Sequence, residues 1–223
     1  MKLHWSPRSP FVRKVMICLH EACLVDQVTC VRSVVALMAP PNETVLADNP
    51  LGQIPTLVPD EGPPLYDSRV ICEYIDGLSS RTKLFPTDSG ERFWHLHWQA
   101  LGDGLATVLV LLRNERLREG GGDKTLCNAL ETKVRACFAA LNGELTQLGK
   151  SPFGIGHIAI VCALGQMNFR FRDSNWQSAY PQLATWLMEQ NTRPSIAGTL
   201  IVDDGTAVPE GAMNTLEKLD FPT

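Results

Sequence analysis

Ser6-Pro7-Arg8-Ser9-Pro10-Phe11-Val12-Arg13-Lys14-Val15 is the stretch on which the fold of this chain turns. It follows a short, partly apolar run at residues 1–5 and opens a segment, residues 11–23, with apolar side chains at 12, 15, 16, 19, 22 and 23. That spacing predicts a helix after a strand. Ser9 fits the N-cap and Pro10 the first helical position. A helix start of this kind collects free N–H groups and the positive end of the helix dipole. An anion there is stabilised, a thiolate included, and a Ser9 hydroxyl can donate a hydrogen bond to it.

Working outward, residues 28–31 are mostly β-branched and read as a strand. Thr56–Val58 and residues 64–66 flank Asp60-Glu61-Gly62, which reads as a hairpin turn. Ser68–Leu78 is helical again. The order is β-α-β, a connection, then β-β-α. Within the connection, Asn49-Pro50-Leu51-Gly52-Gln53-Ile54-Pro55-Thr56 puts a proline just before a strand. Ile54–Pro55 is a candidate cis bond, which would turn the Ile54 N–H and C=O outward to meet an extended peptide. Asp67-Ser68 opens the following helix: a cap, or a pair that holds an ammonium and a carboxylate group.

From about residue 85 the texture is helical. Trp94, Trp98, Leu101, Leu105, Val108, Leu109 and Leu112 mark one long helix, and Gly120-Gly121-Gly122 breaks it. Leu126, Leu130, Val134, Cys137, Leu141, Leu145 and Leu148 mark a second amphipathic helix. Residues 158–171 are apolar almost all round, as in the middle of a bundle, and Pro181–Gln190 is one more helix. Ser79-Ser80-Arg81-Thr82 is the expected linker. The expected domains are an α/β domain at 1–80, an all-α domain at 85–202 and an irregular tail at 203–223.

The charge excludes more than it selects. The chain's 223 residues carry 20 Lys+Arg against 24 Asp+Glu, net −4, and neither half is basic, so a nucleic-acid partner is not expected. No apolar run approaches the roughly 20 residues that span a bilayer, and no secretory leader is visible, so no membrane partner is expected. The cysteines (18, 23, 30, 72, 127, 137 and 162) form no C-x-x-C pair and read as buried, reduced thiols of a cytoplasmic protein. His4, His20, His95, His97 and His157 lack metal-ligand spacing, so no metal is expected. Gly120-Gly121-Gly122 before Lys124-Thr125 fails as a phosphate loop, because Arg118 and Asp123 stand where its glycines belong. Trp5 divides between core and pocket wall, and Asp103 reads as a solvated helix position.

In this order and spacing the stretches resemble the cytosolic glutathione transferases over residues 1–202. The likeness rests on S-P-R-S-P-F-V-R-K-V at 6–15, N-P-L-G-Q-I-P-T-L at 49–57 and L-Y-D-S-R-V-I-C-E-Y-I at 65–75. D-G-L at 103–105 and R-P-S-I at 193–196 support it. The pattern is most similar to bacterial members with a serine at the helix start. The resemblance implies an α/β thioredoxin-like N-terminal domain, an all-α helical C-terminal domain, a homodimer, and glutathione as co-substrate. It implies Ser9 on the glutathione sulfur, with the cysteinyl unit paired to the Ile54 backbone ahead of a cis Pro55. It also implies Asp67 and Ser68 at the γ-glutamyl end and Gln53 near the tripeptide. Trp5, Phe11 and Asp103 would border the acceptor pocket, Asp103 from a helix lining the dimer cleft, within reach of glutathione bound to the other subunit. Two positions depart from the family: its usual Ser/Thr-x-x-Asp capping box reads Gly154 and His157, and residues 36–45 hold no His or Lys for the glycyl carboxylate.

The implied activity is conjugation of the glutathione thiolate to a small hydrophobic electrophile. A glutathione-dependent peroxidase or disulfide reductase is a second reading, and it would normally want a cysteine where Ser9 stands. A non-catalytic member that binds glutathione or a partner protein is a third.

Overall fold

The structure, a computed structural model, describes residues 1–81, 83–205 and 219–222. Thr82 of the expected linker, and residues 206–218 and 223 of the expected tail, lie outside the described residues.

Three strands form one sheet in the order β2-β1-β3: β1 (Lys2–Trp5), β2 (Thr29–Arg32) and β3 (Thr56–Val58). β1 runs parallel to β2, with Lys2 beside Thr29 and Trp5 beside Arg32. It runs antiparallel to β3, with His4 beside Thr56. Alternation sends Leu3 into the core and His4 to the opposite face. There the His4 ring meets Ser33 Oγ at 2.8 Å and Asp48 Oδ2 at 2.7 Å, and Lys2 Nζ donates to the same Asp48 oxygen at 2.6 Å. Asp48 ends α2 (Glu43–Asp48), so these bonds tie that helix to the sheet.

The expected hairpin is reduced to a single bridge between Leu57 and Leu65. Pro63 and Pro64 precede Leu65 and have no N–H to extend a ladder. The expected helix at 11–23 is α1, Pro10–Glu21, and it stops early because Cys23 takes a left-handed conformation (φ 56°). Helix α2 has no counterpart in the sequence reading. It spans six residues, buries only Val45, and is capped by Asn42 Oδ1, so it shows no usable periodicity. α3 (Ser68–Leu78) packs beside α1.

The helical part holds α4 (Ser89–Arg116), α5 (Lys124–Lys150), α6 (Ile155–Arg170), the short α7 (Trp176–Ala179), α8 (Pro181–Gln190) and α9 (Pro194–Ala197). α6 is buried from Ile155 to Leu164, as expected of a central helix. It crosses α4 closely at Gly102, where an added Cβ would lie 2.6 Å from the Ala159 carbonyl carbon. α1 docks on α6 and α9. Glu21 accepts two bonds from Arg193, at 2.6 and 2.7 Å, and one from the Ser195 hydroxyl, which gives the R-P-S-I stretch a structural role. The described ends of the expected tail are not loose: Asn175 pairs with the Phe221 backbone, and the Phe221 ring lies 4.7 Å from that of Phe138.

The cysteine expectation needs correction. Cys18, Cys72, Cys127 and Cys162 are buried, but Cys23 and Cys30 are exposed. Among the described residues no helix is long and apolar enough to cross a membrane.

Candidate functional site

The loop at residues 6–9 leaves the end of β1 and feeds α1. Ser9 is the N-cap, with extended backbone (φ −88°, ψ 122°), and its Oγ accepts from Val12 N–H at 3.3 Å. Its C=O accepts from Arg13 N–H at 2.9 Å. Pro10 has no N–H to offer, so Phe11 keeps the one first-turn amide with no partner among the described residues. The Ser9 hydroxyl hydrogen has no acceptor among them either. Two donors thus stand together at the positive end of the helix. Ser6 differs: it is buried, and its Oγ accepts from Arg8 N–H at 3.4 Å.

His4 pairs with Thr56, so Trp5 and Pro55 come next at the same end of the sheet. The Ile54–Pro55 bond is cis. Asn49 organises the loop before it. Its Nδ2 donates to Gln53 C=O and to Thr56 Oγ1, both at 3.0 Å, and its Oδ1 accepts from Leu51 N–H at 3.0 Å. Gln53 C=O is consumed inside the loop, and its side chain is exposed. The Ile54 N–H and C=O take no hydrogen bond among the described residues. Asn49 went unnoticed in the sequence because its role is internal to the loop.

Asp67 is the N-cap of α3. Its Oδ1 accepts from Arg69 N–H at 3.0 Å and from the Ser68 hydroxyl at 3.1 Å. Burial would raise its pKa, but those bonds and the charges of Lys14 and Arg69 outweigh it and hold Asp67 below the usual carboxylate range. Asp103 is not on a solvated face. It is buried on α4, where Lys14 Nζ lies 2.8 and 2.7 Å from its two oxygens and Arg69 Nε lies 2.9 Å away. Lys14 and Arg69 had not been singled out, because their partner lies far along the chain. Trp5 and Phe11 are half-buried where β1 ends and α1 begins.

A second unforeseen set surrounds the same loop. Arg8 Nη2 meets Asp203 Oδ1 at 2.5 Å and Asp204 Oδ1 at 3.1 Å. Arg32, at the end of β2, grips Asp204 through Nε at 2.6 Å and Nη2 at 3.2 Å. Val202 N–H donates to Pro7 C=O at 3.3 Å, so residues 202–204 lie along the Ser9 loop. Elsewhere, an open cleft of about 350 Å³ lined by Gly90, Phe93, Trp94, His97 and Glu144 contains none of these residues.

Comparison with known proteins agrees with this geometry. The Glutathione S-transferase, N-terminal domain family matches residues 8–78, and the Glutathione S-transferase, C-terminal domain family matches residues 111–187. An uncharacterized GST-like protein of Escherichia coli is 30% identical over 203 residues, 89% of this chain and 98% of that one. A glutathione transferase family member from Pseudomonas fluorescens Pf-5, solved with bound glutathione, is 38% identical with a TM-score of 0.85, covering 91% of this chain and 99% of that one. A second structure from that organism, with bound S-(propanoic acid)-glutathione, is 35% identical with a TM-score of 0.82, covering 91% and 100%. With a thioredoxin-like sheet domain, an all-helical second domain and both family matches in register with them, the chain belongs to the glutathione S-transferase family.

Proposed function

We propose that the protein conjugates glutathione, through its thiolate sulfur, to a small hydrophobic electrophile, and that it works as a homodimer in the cytoplasm. The observation that carries this reading is the pair of donors at the start of α1, the Ser9 hydroxyl and the Phe11 N–H, that are unengaged among the described residues. A sulfur beside them is stabilised as the thiolate by two hydrogen bonds and the helix dipole. The Ile54 backbone, unpaired among the described residues and at the same end of the sheet, suits the cysteinyl unit. Asp67, kept ionised, suits the γ-glutamyl ammonium, Ser68 its carboxylate, and Gln53 a further polar contact. Trp5 and Phe11 border the acceptor. Asp103 acts on the site through Arg69, next to Ser68, and is a positioning residue.

In the reaction the sulfur–carbon bond forms while a leaving group departs with its electron pair, or while an activated double bond takes the pair to its far carbon and then a proton from water. The S-(propanoic acid)-glutathione held by the second relative is a thioether at sulfur, the kind of product such a reaction makes. The reading assigns residues 1–80 to a glutathione-binding thioredoxin-like domain, 85–202 to an all-helical domain and 203–223 to an irregular tail. It calls for no metal.

The test is calorimetric titration with glutathione, followed by turnover with a panel of electrophiles and peroxides. Binding with conjugation supports the reading. Peroxide turnover without conjugation replaces it with a reductase, binding without turnover with a non-catalytic protein, and no binding removes it.

A further inference from the structure

Resting on the glutathione-binding reading above, we infer that Asn49 is a positioning residue of that site: it holds the Gln53 C=O inside the loop and so aims the Ile54 N–H at the cysteinyl carbonyl of glutathione.

Asn49 itself is too buried to meet a ligand. It is 1% exposed, and each of its polar groups has a partner between Val45 and Thr56. Its N–H donates to Val45 C=O at 2.8 Å, and its C=O accepts from Gly52 N–H at 2.9 Å. Its Oδ1 takes the Leu51 N–H, and its Nδ2 donates to Thr56 Oγ1 and to Gln53 C=O. Thr56 is fully buried too, and its hydroxyl donates to the same Gln53 C=O at 2.8 Å. Two donors therefore draw that carbonyl inward.

The effect falls on the next residue. The Gln53–Ile54 peptide is trans, so its C=O and N–H point in opposite directions across one plane. With the carbonyl turned toward Asn49 and Thr56, the Ile54 N–H turns away from them, and it has no acceptor among the described residues. An N–H held outward in this way takes the carbonyl of an extended peptide. The ends of the loop are fixed by one residue of β1: the His4 ring lies 2.7 Å from Asp48, just before Asn49, and His4 stands beside Thr56 in the sheet. Between those ends the chain is looser, because Gly52 sits at φ 62° and leaves the neighbouring peptide planes free to rotate. The Asn49 side chain removes that freedom.

The test uses the full chain and two ligands by calorimetry: glutathione, and its isostere in which an (E)-alkene replaces the cysteinyl–glycyl amide and so offers Ile54 no carbonyl. The unaltered protein should bind glutathione roughly tenfold tighter than the isostere, which leaves the Ile54 N–H without an acceptor. Asn49→Ala, checked for a native circular dichroism spectrum, should weaken glutathione by roughly tenfold and bring the two ligands within about twofold of each other. Thr56→Val keeps the shape of the side chain and removes one of the two donors to Gln53 C=O, so it should move the same ratio part of the way. In turnover the loss should fall on the KM for glutathione far more than on kcat. An Asn49→Ala protein that is less stable but keeps the full ratio between the ligands has lost only a structural residue, and the inference is overturned. If Asn49→Ala does not fold, an unchanged ratio in Thr56→Val overturns it equally. Equal binding of the two ligands by the unaltered protein also overturns it and leaves the transferase reading intact. Failure of glutathione itself to bind removes both.

Discussion

The Lys14 ammonium and the Asp103 carboxylate face each other between α1 and α4, with Nζ 2.8 and 2.7 Å from the two oxygens. Both are buried, and Arg69 supplies Asp103 with a second, half-exposed cation. The pair joins the sheet domain to the helical domain one helical turn beyond Ser9. Its asymmetry sets the first prediction. Removing Asp103 leaves Lys14 buried without a counter-charge, whereas removing Lys14 leaves Asp103 paired with Arg69. Asp103→Asn should cost about 3–5 kcal/mol in urea unfolding, and Lys14→Met clearly less. Equal costs would mean that Arg69 does not compensate Asp103 once Lys14 is gone.

Ser9 and Ser6 compete for the thiol. Ser9 is a cap whose hydroxyl hydrogen has no acceptor among the described residues, and Ser6 is buried. Ser9→Ala should raise the apparent pKa of bound glutathione and cut turnover by roughly tenfold to a thousandfold, as for loss of one positioned donor. Losing the cap should also cost about 1 kcal/mol of stability. Ser6→Ala should do much less. The pH profile of turnover for both variants with one electrophile decides, and a shift confined to Ser6→Ala would reverse the assignment.

Burial pushes His157 down to about 4, with the His95 and Arg193 charges adding to it and the bond from its ring to Leu148 C=O opposing. Its folded pKa lies below the unfolded value near 6.5, so only the unfolded chain takes up a proton as the pH falls through that interval. The His157 contribution is complete above pH 6.5 and declines toward pH 4. Between pH 6.5 and 5 unfolding should lose about 2 kcal/mol from this group. His95 is lowered too, first by burial, and adds to the same slope. His157→Asn should flatten the stability–pH curve, and an unchanged slope would refute the assignment.

The start of α6 lacks the family's capping side chain for a steric reason. A Cβ at Gly154 would lie 2.6 Å from both His95 Cε1 and Leu84 C=O. His95 fills the space, and its Nδ1 accepts from Gly156 N–H at 3.4 Å, so a ring from α4 does the work of a cap. Gly154→Ser, which restores the usual residue type, should therefore destabilise the protein by about 1–3 kcal/mol through overpacking. A rise in the urea midpoint would show that the backbone yields there.

The proposed dimer joins residues 65–78 of one subunit to 92–117 of the other. Val70, Trp94 and Leu111 are large apolar side chains left over 40% exposed on these elements, and Phe93 is 71% exposed. Light scattering at micromolar concentration should give twice the chain mass, and Val70→Glu should shift it toward the monomer. A monomeric mass for the unaltered protein would end the proposal.

What the sequence determined by itself was local. Ser9-Pro10 and Asp67-Ser68 cap helices because an N-cap needs only its own next three residues, and long apolar periods announced α3, α4, α5 and α8. α2 was too short for a period to show, and the hairpin failed on Pro63 and Pro64. The tertiary structure alone decided the partners of the buried charges. Lys14 and Asp103 are 89 residues apart and Arg8 and Asp203 are 195, and no spacing rule links positions so distant. His95 could cap α6 only once α4 had crossed it. A charge removed from water must find an opposite charge wherever the packed helices bring one, and that choice belongs to the fold as a whole.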